Sequence, residues 1–449
     1  MPTVLFEQYV EEGLGCASYL IGDEQTGEAV VVDPAYAVEQ YLETAERKGV
    51  RLTRVLETHT HADHLSGHGR LALEHEVPIA IHPGADPAYP FEPLEDGAEI
   101  EVGQVALRVI HTPGHRPEHC CFAVTDRSRA DEPWLVLTGD SLLVGDTARP
   151  DLAVEAKDGA ESLFHSLQRL LELPDGVELF PGHVAGSLCG AGMSSKASST
   201  IGFERRFNPS LAHTGLADFI GESAASSGTP RPPNMERIVE LNRGMFVGAR
   251  PPLTRLSSAD GATILDVRQA DEFARGHVPG AINIPTGGSF ATKAGFVLGG
   301  DERVALYAGS EDEAQLAARG LHAVGLFGVA GYLTGGEASE RLEPLTLDDL
   351  EKMMSNGGVS LVDVREKDER DHGYIPESLH IPYRRIRACA DELRGNSPVV
   401  TICETGSRAS TAASILVAAG IDARPVLGEG VAEWRQRGGQ CVEFRRCGS

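Results

Sequence analysis

Short, nearly continuous apolar runs, each ending in a turn residue, mark the first half of the chain. Val30-Val31-Val32-Asp33-Pro34 is a strand running into a turn, and Val105–Ile110 and Trp134–Leu137 are strands of the same kind. Between such runs, Ser162–Leu171 spaces its apolar residues three and four apart, as an amphipathic helix does. The pattern changes at Gly221–Pro233, which is rich in Ser, Ala, Gly and Pro and reads as a linker; Met235–Asn242 follows as a short helix.

The rest of the chain repeats itself. Ile264-Leu265-Asp266-Val267-Arg268 returns as Leu361-Val362-Asp363-Val364-Arg365, Gly276-His277-Val278-Pro279 as Gly373-Tyr374-Ile375-Pro376, and Ile284-Pro285 as Ile381-Pro382, all with an offset of 97. A strand, a helix and a further apolar strand in each copy predict a parallel sheet with crossover helices. The expected organisation is an N-terminal domain over 1–220, a linker over 221–249, and two copies of a small α/β domain over 250–343 and 344–449.

A length of 449 residues agrees with about three domains. With 40 Lys and Arg against 66 Asp and Glu, the net charge is −26, which argues against nucleic acid or an anionic membrane surface as a partner. The start Met1–Glu7 has no basic or long apolar leader, and no apolar run approaches a membrane-spanning length. The eight cysteines, at 16, 120, 121, 189, 389, 403, 441 and 447, form no disulfide framework and no CxxC, so a reducing, cytoplasmic setting is expected.

The densest chemistry is His59-Thr60-His61-Ala62-Asp63-His64, with four potential ligands in six residues. An extended run would point His59 and His61 to one side, with Asp63 and His64 opening the next turn. A cluster that repels itself in this way is normally held by a cation. Three more ligands follow apolar runs and a Gly: His115 in Thr112-Pro113-Gly114-His115, Asp140 in Thr138-Gly139-Asp140, and His183 in Pro181-Gly182-His183. Gly permits the sharp turn that brings a side chain to a sheet edge.

These motifs, in this order, resemble the metallo-β-lactamase superfamily over residues 1 to about 215. The resemblance implies an αβ/βα sandwich with the metal at one edge of its two sheets. The chain further resembles the persulfide dioxygenases of that superfamily, and their branch fused to rhodanese domains, in Arg149 and Asp151 within Gly145–Leu152, in Gly182–Gly190, and in Ser199–Glu204. It implies one iron(II) per chain on His59, His115 and Asp140, with zinc as the alternative. His61, Asp63, His64 and His183 would then line a neighbouring second-metal position. The implied substrates are O2 and a low-molecular-weight thiol persulfide, with Arg149 and Asp151 as substrate contacts and sulfite and free thiol as products. Ala185 and Arg116 stand where the glutathione-using branch has Tyr and Thr, so the carrier thiol stays open among glutathione, coenzyme A and others; Cys189, near the last motif, reads as a small buried Cys or a relay thiol.

The repeated copies resemble rhodanese (sulfurtransferase) domains, through Asp363-Val364-Arg365, the Gly373–Pro376 turn, the loop Cys403-Glu404-Thr405-Gly406-Ser407-Arg408, and Gly428–Trp434. Val399–Ile402 has a buried-strand pattern, and Cys403 opens the loop into a small-residue helix, Ser410–Ala419. Backbone N–H groups and the helix N-terminus there stabilise a thiolate, and Arg408 adds a cation for an anionic donor such as thiosulfate. In the first copy, after the strand Arg303–Tyr307, Ala308 holds the Cys position and Gly309–Glu313 replaces the cationic loop with an acidic one. That copy is expected to be silent, a spacer or docking module.

The expected activity is therefore iron-dependent persulfide oxidation coupled to sulfane sulfur transfer at Cys403. The rivals are a binuclear zinc thioester hydrolase of glyoxalase II type and a non-enzymatic persulfide sensor or sulfur carrier. Homo-oligomers are common for the fold family, and no segment here specifies one.

Overall fold

The computed structural model of the chain describes residues 4–11, 13–184, 193–194, 196–213, 215–225, 230–335, 338–395 and 398–443. Cys189, Ala185 and the Gly221–Pro233 positions 226–229 lie outside the described residues. The chain divides into two compact units, Met1–Arg250 with His322–Gly325, and Pro251–Leu321 with Leu326–Ser449. Among the described residues, no helix is long and apolar enough to cross a membrane.

In the first unit, six strands form one sheet in chain order: Val4–Glu11, Cys16–Asp23, Glu28–Val32, Arg51–Leu56, Ile79–Ile81 and Glu92–Pro93. A second six-stranded sheet runs in spatial order Ser199–Thr200, Glu178–Pro181, Leu135–Gly139, Cys120–Asp126, Val105–His111 and Glu99–Val102. Alternation within single strands explains the continuous apolar runs. Tyr19, Ile21, Val30 and Val32 join Leu107, Cys120, Phe122 and Val124 in a core between the sheets. Leu20, Ala29 and Val31 point the other way, onto Tyr41 and Ala45 of helix Glu39–Lys48. Cys121 and Ala123 point onto Leu163, Leu167 and Leu170 of helix Ala156–Leu170. A strand with apolar residues on both faces must be covered twice. The result is the expected αβ/βα sandwich.

Several boundaries differ from expectation. The helix read at Ser162–Leu171 begins at Ala156, where an Asp158 in the first turn favours the helix N-terminus. The segment read as a linker opens inside a further helix, Leu216–Ala225, whose Phe219 is 2% exposed and packs against Phe164 with the rings tilted by 58°. The His59–His64 run is not strand. Arg51–Leu56 ends before it, and the run continues in bends.

The second unit holds two four-stranded sheets. Their spatial orders are Ile282–Asn283, Thr263–Asp266, Val304–Tyr307, Val329–Leu333 and Leu379–His380, Ser360–Asp363, Val399–Ile402, Ala423–Pro425. Every pairing in both is parallel. The repeat is kept in register: Asp266 pairs with Asn283 and Tyr307, and Asp363 pairs with His380 and Ile402. The doubled Asp-Val-Arg serves one purpose in both copies. Asp266 accepts from the guanidinium of Arg268 (2.6 Å), and Asp363 from that of Arg365 (2.8 Å), closing the turn after the first central strand.

Candidate metal centre and thiol loop

The first centre is built from the strand ends inward. Asp33 follows strand Glu28–Val32 with φ 50°, a left-handed turn that aims its carboxylate at the neighbouring strand end. It accepts from the Thr58 amide (2.7 Å) and the Thr58 hydroxyl (2.8 Å). With that proton committed, the Thr58 oxygen faces His59 Nδ1 at 2.9 Å as an acceptor. Nδ1 then carries the His59 proton, and Nε2 keeps a lone pair for a ligand. His115 is set the same way, because its Nδ1 lies 3.3 Å from the Arg149 carbonyl oxygen, which can only accept. Burial holds both imidazoles below their ordinary range, so both are neutral.

The glycines of the motifs have steric work. A Cβ on Gly114 (φ 151°) would lie 2.5 Å from Leu163 Cα, so only glycine lets the His115 loop cross helix Ala156–Leu170. A Cβ on Gly139 (φ 46°) would lie 2.6 Å from His119 Nε2, in the turn that presents Asp140.

His59, His115 and Asp140 each offer a ligand atom, and these atoms all lie within 4.8 Å of one another. Asp140 Oδ2 lies 3.8 Å from His59 Nε2, 3.4 Å from His115 Nε2 and 3.2 Å from His183 Nε2. Burial alone would raise the Asp140 carboxyl, yet His183, whose Nε2 faces it, holds it well below the usual carboxylate range. Among the described residues, both its oxygens are buried without a hydrogen-bond partner. A buried carboxylate facing imidazole lone pairs is short of positive charge, and a cation bound by nitrogen and oxygen fits the donors present.

The remaining members of the expected cluster divide. His183 Nε2 and Asp63 Oδ2 are 3.4 Å apart, beside Asp140. Asp63 and His64 meet Cys16, whose Sγ lies 3.3 Å from Asp63 Oδ2 and 3.4 Å from His64 Nδ1, a second candidate metal group. His61 turns elsewhere. Its Nε2 sits 3.2 Å from both Asp33 Oδ1 and Glu57 Oε2. Burial opposes its charge, but the two carboxylates hold the imidazole well above its ordinary range, as a cation. Helix Met235–Arg243 secures the run: Asn242 Nδ2 donates to the carbonyls of His61 (3.0 Å) and His64 (2.9 Å), and its Oδ1 accepts from Ser66 N (2.9 Å).

Sequence reasoning missed four residues here: Cys16, Glu57, His119 and Asn242. His119 accepts the Asp140 amide at Nε2 (2.9 Å) and meets the Thr112 hydroxyl at Nδ1 (2.8 Å); burial pushes its imidazole down to about 3. Its position four residues after His115 was a usable signal. Arg149 and Asp151, expected on substrate, pair with each other at 2.8 and 2.7 Å, with side chains 6% and 14% exposed. The Arg149 carbonyl also faces the centre, at His115 Nδ1.

The second centre is the loop after strand Val399–Ile402. Cys403 is 1% exposed, and the Gly406 amide donates to its Sγ at 3.1 Å. Gly406 (φ 88°) opens helix Ser407–Ala418, and a Cβ there would lie 2.8 Å from Leu427 Cα. The C-terminal segment braces the loop: Val431 N donates to Cys403 O (3.1 Å) and Ala432 N to Glu404 Oε2 (3.0 Å). Glu404 Oε1 also takes Arg365 at 2.5 Å, which braces the loop from the other side. Thr405 is exposed. Arg408, expected to meet the anionic donor, is held by both oxygens of Glu369 at 2.5 and 2.6 Å. Ser407 Oγ accepts from Lys293 at 2.7 Å. In the first copy Ala308 stands buried at the Cys position, and helix Glu311–Ala323 opens with Glu311, Asp312 and Glu313.

Comparison with known proteins follows this division. Residues 12–183 match the metallo-beta-lactamase superfamily, and 252–338 and 346–437 match the rhodanese-like domain. The bovine mitochondrial persulfide dioxygenase ETHE1 is 32% identical over 216 residues, 46% of this chain and 76% of that protein. A mouse hydroxyacylglutathione hydrolase-like protein is 37% identical over 168 residues, 37% of this chain and 56% of that protein. A solved structure called a metallo-beta-lactamase, from Staphylococcus aureus, is 31% identical with a TM-score of 0.67, covering 74% of this chain and 98% of that one.

Proposed function

We propose a function from one premise: the chain belongs to the metallo-β-lactamase superfamily, with two rhodanese-like domains behind its metallo-β-lactamase domain. It is an enzyme of sulfur metabolism. Its first domain oxidises a low-molecular-weight thiol persulfide with O2, giving sulfite and the free thiol. The balance is one persulfide, one O2 and one water to one thiol, one sulfite and two protons. The observation that carries this reading is the trio His59, His115 and Asp140, two imidazoles with freed Nε2 lone pairs and one carboxylate, in a chain that also presents the Cys403 loop. Two histidines and a carboxylate with open positions are the donor set of non-haem iron oxygenases.

An iron(II) ion held by these three would supply O2 activation beside the persulfide sulfur. The chain's own residues do the rest. Thr58 and the Arg149 carbonyl fix the two tautomers, Gly114 and Gly139 bring the ligand loops together, and the sandwich core keeps bulk water from behind the site. His183 stands against Asp140 and can hold a proton there, with Asp63 on its other side and His64 against Asp63. At the second centre, Cys403 carries sulfane sulfur as a persulfide, receiving it from thiosulfate or passing it to sulfite. Free thiols at Cys16, Cys120, Cys121, Cys389, Cys403 and Cys441 suit a reducing, cytoplasmic setting.

The test is O2 uptake by the full iron-loaded chain with glutathione persulfide and then coenzyme A persulfide, with sulfite as read-out. Iron-bound protein that consumes no O2 with any thiol persulfide overturns the reading. A second reading, a binuclear zinc thioester hydrolase, draws on the Asp63–His183 pair beside Asp140 and on the hydroxyacylglutathione hydrolase-like relative. About two zinc ions per chain and thioester hydrolysis would establish it instead.

A further inference from the structure

The copy without a thiol sends one cation to the thiol loop of the other. Helix Phe290–Val297 of the first copy buries Phe290, Ala291, Ala294 and Val297 and leaves Lys293 half-buried beside the second copy. Its Nζ donates to Ser407 Oγ at 2.7 Å. Ser407 is the first residue of the helix whose N-cap, Gly406, donates to Cys403 Sγ.

Neighbouring contacts fix this placement. Asn283 N donates to Ser414 Oγ at 2.9 Å, inside the same helix. Arg387 of the second copy reaches both oxygens of Glu302 at 2.7 Å and the Val297 carbonyl, which ends the Lys293 helix, at 3.0 Å. The first copy thus forms one wall of the loop.

Charge distinguishes Lys293 from the arginines nearby. Arg408 is neutralised by Glu369, and Arg365 by Asp363 and Glu404. Among the described residues, no carboxylate pairs with Lys293. Burial pushes its ammonium down, while the neighbouring Cys403 draws it back up and Arg408 opposes it. The ammonium has three donors, and Ser407 takes one. Two remain for the oxygens of an anion at the Cys403 thiol.

We propose that Lys293, supplied by the silent copy, docks the SO3 group of thiosulfate or sulfite at the Cys403 loop. The proposal rests on the reading of Cys403 as the sulfur-transfer nucleophile. In the forward step, the Cys403 thiolate attacks the outer sulfur of thiosulfate, forming an S–S bond. The S–S bond of thiosulfate breaks, sulfite leaves with the electron pair, and Cys403 keeps the outer sulfur as a persulfide anion. In reverse, sulfite attacks the terminal sulfur and the Cys403 thiolate is released. Both directions place an SO3 group beside Lys293, and the silent copy contributes its charge and its wall.

The test uses the full chain and the variants Lys293→Gln and Lys293→Arg. Two rates are read: sulfur transfer with thiosulfate as donor or sulfite as acceptor, and alkylation of Cys403 by anionic iodoacetate against neutral iodoacetamide, followed on the Cys403 peptide. Lys293→Gln is expected to raise KM for the SO3 compound about tenfold with kcat within about twofold, to lower the iodoacetate-to-iodoacetamide ratio about fivefold, and to be rescued by Arg. A rise confined to thiosulfate assigns the dock to the donor, and a rise with both assigns it to the shared SO3 group. An unchanged ratio and unchanged KM overturn the proposal, as does a fall in kcat alone. The ratio is internal to each protein, so a variant that merely loosens the fold accelerates both reagents. Wild-type protein that transfers no sulfur at all would sink the Cys403 reading, and the alkylation ratio would still decide the role of Lys293.

Discussion

Replacing Thr58 by Val tests whether the metal centre is organised through its histidine tautomers. The hydroxyl donates to Asp33 Oδ2 at 2.8 Å and accepts from His59 Nδ1 at 2.9 Å, and all three groups are buried. Valine removes both bonds. Asp33 keeps the Thr58 amide at 2.7 Å on its other oxygen, so the loss is partial. Two buried hydrogen bonds, one to a charged acceptor, are worth roughly 2–4 kcal/mol of stability. Released from its acceptor, His59 can move its proton to Nε2, the atom it would offer a metal. A lost hydrogen bond of this kind weakens metal binding about 10–100-fold. The assay is competition for metal against a chelator, at a temperature where circular dichroism shows the variant folded. Thr58→Ser, which keeps the hydroxyl, should bind within about threefold of wild type. A folded Thr58→Val protein that holds metal as tightly as wild type would refute the tautomer argument.

Three further outcomes are expected. Cys403→Ser should abolish sulfur transfer while O2 uptake persists; loss of both would mean that the two centres are not chemically separate. Gly114→Ala drives a Cβ to 2.5 Å from Leu163 Cα at φ 151°, and should cost about 3 kcal/mol or more in urea unfolding; an unchanged midpoint would show that the loop does not cross the helix so closely. Glu302 is pushed up by burial, but Arg387 and Thr263 hold its carboxyl down to about 2. A depressed carboxyl stabilises the fold above its unfolded range near 4.5 and loses that stability as pH falls toward 2. Because the Arg387 side chain is 40% exposed, the contribution is about 1 kcal/mol, and Glu302→Gln should lower stability at pH 7 while flattening the acid limb between 4.5 and 2. An acid limb identical in both proteins would remove Glu302 from the account.

The sandwich and the doubled parallel sheets were legible because apolar runs and repeated Asp-Val-Arg turns are local signals. The same holds for His59, His115 and Asp140, each set by a motif with its own Gly or turn. What was not legible depends on partners remote in sequence. His61 alternates with His59 on paper, yet Asp33 and Glu57 draw it aside, and that requires the pairing of Glu28–Val32 with Arg51–Leu56. Arg149 and Arg408 read from the sequence as lone cations, and only the fold shows Asp151 and Glu369 paired with them. Lys293 sits in an unremarkable helix more than a hundred residues before Cys403, and only the packing of the two copies brings it to Ser407.

Asp33 offers no atom to the three-ligand group, yet both of its oxygens are engaged there. One supports Thr58 and, through it, the proton of His59; the other meets His61 and the Thr58 amide. Its left-handed backbone, at φ 50°, narrows the replacements to Asn and Gly, and each of those lacks the charge that keeps His61 protonated. In a saturation screen scored on activity, position 33 should therefore be as intolerant as the ligands themselves. A survey that ranks residues by distance from the metal would pass over it.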